Sequence, residues 1–388
     1  MRNTIAWVAA LCLLTNAVGW AQEPQPPAPG AKAVEALDLQ AEAAPVLQRA
    51  LSFLESTQQP DGGWLGFGQQ TDPAITALVA KCFIQSPGHG PRHPIVRRAV
   101  ALILTYAKED GGIYVEGRGL RNYETSVCLM ALAALNDSQY RPRIEAAQQF
   151  LTTLQWDEAE GHEADSPWYG GAGYGRHKRP DLSNTQMMLE ALTQSGLPPE
   201  HPAYRKAVVF IQRCQMLSLT NDQPFAAGSR EGGFIYTPVS DGQSKAGTVT
   251  VEGRPRLRCY GSMTYSGFKS LLYANVSRDD VRVRRALHWI LNNYTLEHNP
   301  NMPGEQSQAG LYYYYFVFAK ALAAWGEQEL TDTAGHAHRW RQELCSTLKK
   351  CQRDDGSFVN PADRWMEGNP CLVTAYSVLA IQTALAAG

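Results

Sequence analysis

The chain has 388 residues, 44% of them hydrophobic and 19% charged, with a formal net charge of −2. That composition excludes wholesale disorder, which goes with low hydrophobicity and high net charge. It also excludes a basic nucleic-acid binder, which needs a positive surplus to meet phosphates. The length allows a well-buried core in one large or two ordinary domains.

The first segment reads as a secretory signal peptide over residues 1–21. Arg2 supplies the positive end, an apolar run follows, and Gly19 and Ala21 stand at the −3 and −1 positions of a cleavage site. Export to the periplasm or the extracellular space is the expectation. Residues 22–42 open with Pro and Gln and read as a disordered linker. Residues 43–388 read as one repeat domain, and none of its segments is apolar for long enough to cross a membrane.

After Cys12, seven cysteines remain, and none forms a Cys-x-x-Cys pair. A zinc-finger site is therefore not expected, and the spacing singles out no disulfide.

The strongest feature is internal repetition. Gln58-Gln59-Pro60-Asp61-Gly62-Gly63-Trp64 recurs as Glu109-Asp110-Gly111-Gly112-Ile113, Trp168-Tyr169-Gly170-Gly171, Glu231-Gly232-Gly233-Phe234 and Asp354-Asp355-Gly356-Ser357-Phe358. Gln308-Ala309-Gly310-Leu311 is a degraded sixth copy. Paired glycines make tight turns, and the apolar residue after them is placed to plug the end of a helix pair.

An amphipathic helix precedes each copy. In residues 92–107, Ile95, Ala99, Ile103 and Tyr106 fall on one face; in residues 279–294, Val283, Leu287, Ile290 and Tyr294 do the same. Pro94, Pro142 and Pro202 mark helix starts. A second helix follows each copy, apolar nearly all round and hence buried on every side, as in residues 73–84, 311–325 and 371–385. These inner helices share a register in which Thr76, Thr125, Thr185, Thr264 and Thr374 stand at one position, with Tyr315 in the fifth repeat. The expected fold is all-α: six helical hairpins closed into an α/α toroid, a double-layer barrel. An open solenoid would leave an inner apolar face wet at one end. The outer-to-inner connections are the long ones, so the loops gather at one end, where binding and catalysis are expected.

Phe53-Leu54, Gln58 and Asp61-Gly62-Gly63-Trp64 resemble the Gln–Trp repeat of squalene and hopene cyclases, echoed by Phe150-Leu151 with Gln155 and Phe210-Ile211 with Gln215. The toroid implied is also that of protein prenyltransferase β subunits and complement-type thioester domains. The resemblance runs from about residue 46 to 384 and implies the fold rather than an activity. Cyclases carry an Asp-x-Asp-Asp acid cluster just before the Thr of one inner helix. At those offsets this chain has Asp72, Ala74 and Ile75; Arg121, Tyr123 and Glu124; and Asp181, Ser183 and Asn184. No repeat holds more than one carboxylate there. At the zinc-ligand positions of prenyltransferases stand Arg258, Tyr260 and Val373, so no metal and no cofactor is implied. Pro303-Gly304-Glu305-Gln306 lacks the cysteine a thioester needs.

The candidate catalytic residues are Glu124 and Asp72. Asp72 before Pro73 also fits an N-cap, and Glu124 also fits a salt bridge to a loop arginine. The candidate ligand-binding residues are Arg121, Tyr123, Trp168, Tyr169, Asp181, Asn184, Tyr260, Tyr312 and Tyr313. Trp168 and Tyr169, with Tyr174, Arg176 and His177, suit a platform for a ligand or the packing of a loop. Tyr312 to Tyr315 surround their helix, so some face the lumen. The leading reading is a toroid that binds an apolar or amphiphilic ligand, or a protein partner, at its loop-rich face and lumen. Two alternatives stand beside it. One is an enzyme with relocated carboxylates acting on an isoprenoid, as a terpene-cyclase-like isomerase or transferase, or on a glycan. The other is a cell-envelope scaffold with an envelope protein partner, which predicts a large outer apolar patch.

Overall fold

The computed structural model describes residues 29–175, 178–251 and 253–386. The signal-peptide expectation, Arg176 and His177 lie outside the described residues. The outer helices are α1 (Pro29–Ser56), α3 (Pro94–Thr105), α5 (Arg141–Thr153), α7 (Pro202–Cys214), α9 (Val281–Asn292) and α11 (Trp340–Cys351). Between them run the inner helices α2 (Pro73–Ile84), α4 (Arg121–Ala134), α6 (Leu182–Gln194), α8 (Gly261–Tyr273), α10 (Leu311–Trp325) and α12 (Pro370–Leu385). Each inner helix packs on the next, and α12 packs on α2, so the ring is closed. Every residue of α2 is buried, whereas α3 buries only Ile95, Val96, Ala99, Val100 and Ile103. That contrast is the amphipathic and all-apolar patterning at work.

Two hydrogen bonds repeat around the ring. The hydroxyl of the shared Thr accepts the backbone N–H of the residue that follows the glycines. The pairs are Thr76 with Trp64 (3.1 Å), Thr125 with Ile113 (3.0 Å), Thr185 with Ala172 (3.0 Å), Thr264 with Phe234 (3.1 Å) and Thr374 with Phe358 (2.9 Å). These bonds hold the plug residues buried over the core. In the fifth repeat, Tyr315 instead donates from its hydroxyl to the Leu296 carbonyl at 2.6 Å.

The second bond comes from the repeat glutamine. Nε2 of Gln155 donates to the Gly170 carbonyl (2.8 Å) and to the Ala203 carbonyl in the first turn of α7 (3.0 Å). Gln58 does the same with Gly62 and Ile95, and Gln215 with Gly232 and Arg282. Each glutamine so ties its own turn to the next outer helix. Gly170 has φ +79°, and a Cβ there would fall onto the Lys206 carbonyl. Only glycine fits so close an approach at positive φ.

One boundary differs from the sequence expectation. Helix α1 begins at Pro29, inside the segment read as a disordered linker to residue 42. Beyond the prolines, the run Ala31–Ala44 is rich in Ala, Leu and Glu, which favour helix, and Pro29 suits the first helical position. The seven cysteines are free thiols, six of them buried. The exposed large hydrophobic side chains among the described residues are Leu219 and Trp365, too few to make the outer patch that an envelope scaffold predicts.

Candidate functional site

The long loops, 154–181, 215–260, 293–310 and 352–369, gather around the N-termini of the inner helices. They leave a cavity of about 290 Å³ in that mouth of the lumen. Its walls repeat a register. Two residues before the shared Thr position stand Tyr123, Ser183, Ser262, Tyr313 and Leu372, on α4, α6, α8, α10 and α12, and all five line the cavity. Asn184, Met263 and Tyr376 add to the helical wall, and the loops contribute Leu120, Tyr174, Tyr236, Tyr260 and Trp365.

The tyrosines form a linked set. The hydroxyls of Tyr123 and Tyr376 lie 3.3 Å apart, and that of Tyr313 is 3.1 Å from Ser183 Oγ and accepts from Gln186 Nε2 at 3.0 Å. Burial pushes the Tyr313 phenol up to about 12, so these groups stay protonated and act as hydrogen-bonding walls.

Glu367 is the one carboxylate among the residues lining the cavity. It is 1% exposed. Its Oε1 accepts the Tyr313 backbone N–H at 2.7 Å, and its Oε2 accepts Asn360 Nδ2 at 2.6 Å. Burial pushes its carboxyl up to about 7 against those hydrogen bonds. Beside it, Trp365 (φ +62°) and Met366 (φ +67°) hold left-handed backbone, costly for side chains of this size.

One cation lines the cavity. Lys245 Nζ sits 4.7 Å above the Tyr236 ring and has no ion-pair partner among the described residues. Burial, then the Arg179 and Arg364 guanidiniums, lower its pKa. Arg179 also lies over Tyr236: its guanidinium carbon is 5.4 Å from the ring centre, and its Nη1 is buried without an acceptor. Asn184 Oδ1 is also buried without a donor. Buried polar atoms in folded proteins normally find partners, so Asn184 marks the wall as receptive to a polar group, with Arg179 behind the lining residue Tyr236.

Of the sequence candidates, Tyr123, Asn184, Tyr260 and Tyr313 line this cavity. Asp181 lies just behind it, capping α6 through the Asn184 N–H at 2.9 Å. Burial pushes its carboxyl up to about 6, opposed by hydrogen bonds from Asn184 and Tyr236. The other candidates sit elsewhere. Asp72 caps α2, accepting the Ala74 and Ile75 N–H groups at 2.8 and 3.0 Å. Its second oxygen meets Arg118 Nη1 at 2.6 Å, and the same nitrogen meets Glu124 Oε1 at 3.0 Å. Glu124 Oε2 takes the Val115 N–H at 2.8 Å. Both proposed catalytic carboxylates are thus consumed in holding the α3–α4 loop. Arg121 pairs with Glu116 at the surface and stacks over Tyr114. Trp168 packs with Trp156 and His162 in the α5–α6 loop, and Tyr169 donates to Glu158. Tyr312 packs against Tyr315 and Phe358 between the helix layers.

Sequence reasoning missed Glu367, Lys245, Tyr236, Trp365, Ser262 and Tyr376 as site residues. The position two before the shared Thr was a legible signal for Ser262. The loop residues carry no repeat to betray them.

With this geometry in hand, comparison with known proteins identifies the architecture. The type II terpene cyclase MstE from Scytonema superposes with a TM-score of 0.55 at 14% identity, over 89% of this chain and 99% of that one. The chain has the α/α toroid fold. A family 76 glycoside hydrolase from Bacteroides thetaiotaomicron shares the toroid too, with a TM-score of 0.55 at 11% identity over 88% of this chain and 78% of that one. A probable squalene–hopene cyclase of Sinorhizobium fredii is 27% identical over 198 residues, taking in 45% of this chain and 30% of the relative. The match spans under a third of that relative's length. No protein-family model matches the chain. A variant of MstE is solved in complex with geranylgeranyl dihydroxybenzoate, its substrate.

Proposed function

We propose that this toroid is an exported binding protein for a small amphiphile with an apolar, prenyl-like body and an acidic head. The observation that carries the reading is Lys245, a cation without an ion-pair partner in the wall of an aromatic cavity. The tyrosines would pack the body, and Lys245 with Arg179 would meet the head. At about 290 Å³ the cavity stands at the small end of ligand sites, so short chains fit best.

A second reading is an enzyme on the same ligand, and Glu367 favours it. A carboxyl with a pKa of about 7 is half protonated near neutral pH, the condition for giving a proton to a bound substrate. Glycan cleavage is less well supported, because that chemistry uses paired carboxylates and Glu367 lines the cavity alone.

The test compares geranic acid with geraniol, the same chain with and without the acid, by titrating Trp365 fluorescence at the rim. The acid is expected to bind at least tenfold tighter, and Lys245→Met to erase that preference. Equal affinity for acid and alcohol, or no binding of either, overturns the reading. Turnover of the acid that disappears in Glu367→Gln would favour the enzyme.

A further inference from the structure

The other end of the lumen carries a second cavity, of about 210 Å³, among the C-terminal turns of the inner helices. Lys81 and Gln85 bound it from the α2 side, Gln194 from α6, Tyr273 from α8, Lys320 from α10 and Thr383 from α12. Behind it lies a buried charge cluster. Glu190 on α6 accepts Lys269 on α8 at 2.5 Å, Gln194 Nε2 at 2.7 Å, and Lys320 on α10. Lys81 on α2 joins only through the side-chain oxygen of Gln194. Exposure is 0% for Glu190 and Lys269, 6% for Lys81 and 8% for Lys320.

The cluster therefore sets three amines against one carboxylate. Among the described residues bordering the cavity, no carboxylate restores the balance. Burial keeps the Cys82 thiol and the Tyr273 phenol protonated, and α12 presents Leu379 and Thr383, which carry no charge. The carbonyl ends of the parallel inner helices contribute partial negative charge but no counter-ion. A buried cation without a counter-charge is unfavourable; Lys320 shares Glu190 with Lys269, Lys81 has no carboxylate of its own, and both Lys81 and Lys320 border the accessible cavity.

We propose that this cavity binds a small oxyanion, a carboxylate, sulfate or phosphate group, between Lys81 and Lys320, with the Tyr273 hydroxyl as a further donor. The site is independent of the aromatic cavity and of the function assigned to it. Binding is linked to protons. Burial and the Lys320 charge bring the Lys81 amine down to about 7, and burial brings Lys269 down to about 8, against the pull of Glu190. An anion beside them favours the charged amines, so it binds with proton uptake, and its affinity falls as pH rises from 7 to 9.

Sulfate is the probe, because it does not titrate in this range. Calorimetry of the full chain at pH 8, in two buffers of different ionisation heat and against chloride at equal ionic strength, is expected to give saturable binding with proton uptake. Lys81→Met is expected to weaken it at least tenfold, whereas Lys349→Met at the surface leaves it unchanged. Non-saturable heats, or wild-type affinity in a folded Lys81→Met, overturn the proposal. Should Lys81→Met fail to fold, ¹³C NMR of lysine side chains in the unmodified protein decides: sulfate must raise the titration midpoint of a buried lysine. Unmoved midpoints overturn the proposal.

Discussion

Gln352 donates from Nε2 to the carbonyl of Val46 at 2.9 Å, across 306 residues of sequence. The same nitrogen reaches the Gly356 carbonyl at 3.0 Å, so the last glutamine repeats the bridge made by Gln58, Gln155 and Gln215, this time onto the first helix. Arg49 reinforces it, donating from Nε to Gln352 Oε1 at 3.0 Å. The seam between the chain's two ends is therefore built like the joints elsewhere in the ring.

Gln352→Ala is expected to cost about 2 kcal/mol, because two carbonyls lose a donor at once. Urea unfolding measures the loss. Amide exchange should quicken in α1 and α11 more than in α6 and α7. An even rise throughout would mean that the seam does not open locally.

Gly170→Ala and Gly196→Ala form a contrasting pair. Both positions have left-handed backbone, φ +79° and +80°, but the space beyond Gly196 is open. Gly196→Ala should cost about 1–2 kcal/mol from conformation alone. Gly170→Ala should cost clearly more, because the Lys206 carbonyl on α7 must move away. Equal losses in thermal unfolding would contradict the close approach.

Glu124→Gln is expected to weaken the Arg118 clamp and lower stability by about 1–3 kcal/mol. Binding of geranic acid should be unchanged, since Glu124 does not line the aromatic cavity. Loss of binding with full stability would return Glu124 to the site.

The pH dependence has a definite sign. An unfolded glutamate releases its proton near 4.5, while folded Glu367 keeps it to about 7. Between those values the folded state holds the extra proton, so stability falls as pH rises, by up to about 3 kcal/mol. Asp181, raised to about 6, acts in the same direction. His89, whose pKa is lowered by burial, opposes them. Urea midpoints should fall from pH 5 to pH 7, and Glu367→Gln should flatten the slope.

The fold was legible where a physical need recurs. Five of the six repeats use a hydroxyl to take the N–H beside the glycines, so Thr76, Thr125, Thr185, Thr264 and Thr374 stand in register and locate the inner helices. The glutamines mark the joints for the same reason. The cavity was only half legible. Tyr123 and Asn184 follow from the positions before the shared Thr, Tyr313 from the tyrosine run around its helix and Tyr260 from the place of a prenyltransferase ligand, but Lys245, Trp365 and Glu367 come from loops that occur once each. Asp72 and Glu124 are alike in sequence as acids shortly before the shared Thr of an inner helix. What separates them from Glu367 is Arg118, whose reach to both is a tertiary fact. At α1 the prolines before residue 30 carry a linker signal, while the alanines after them favour the helix that begins at Pro29.

The four glutamine joints all point the same way, Gln58, Gln155 and Gln215 each gripping the next outer helix and Gln352 gripping the first. Packing in this ring has no terminal unit, and so no repeat that must act as a solubilising cap. A circular permutant opened in the short connection between α6 and α7, with its old ends joined near α1 and α12, would keep every joint. Position along the chain then sets the order in which repeats are synthesised, while the stability of each is set by its two neighbours in the circle.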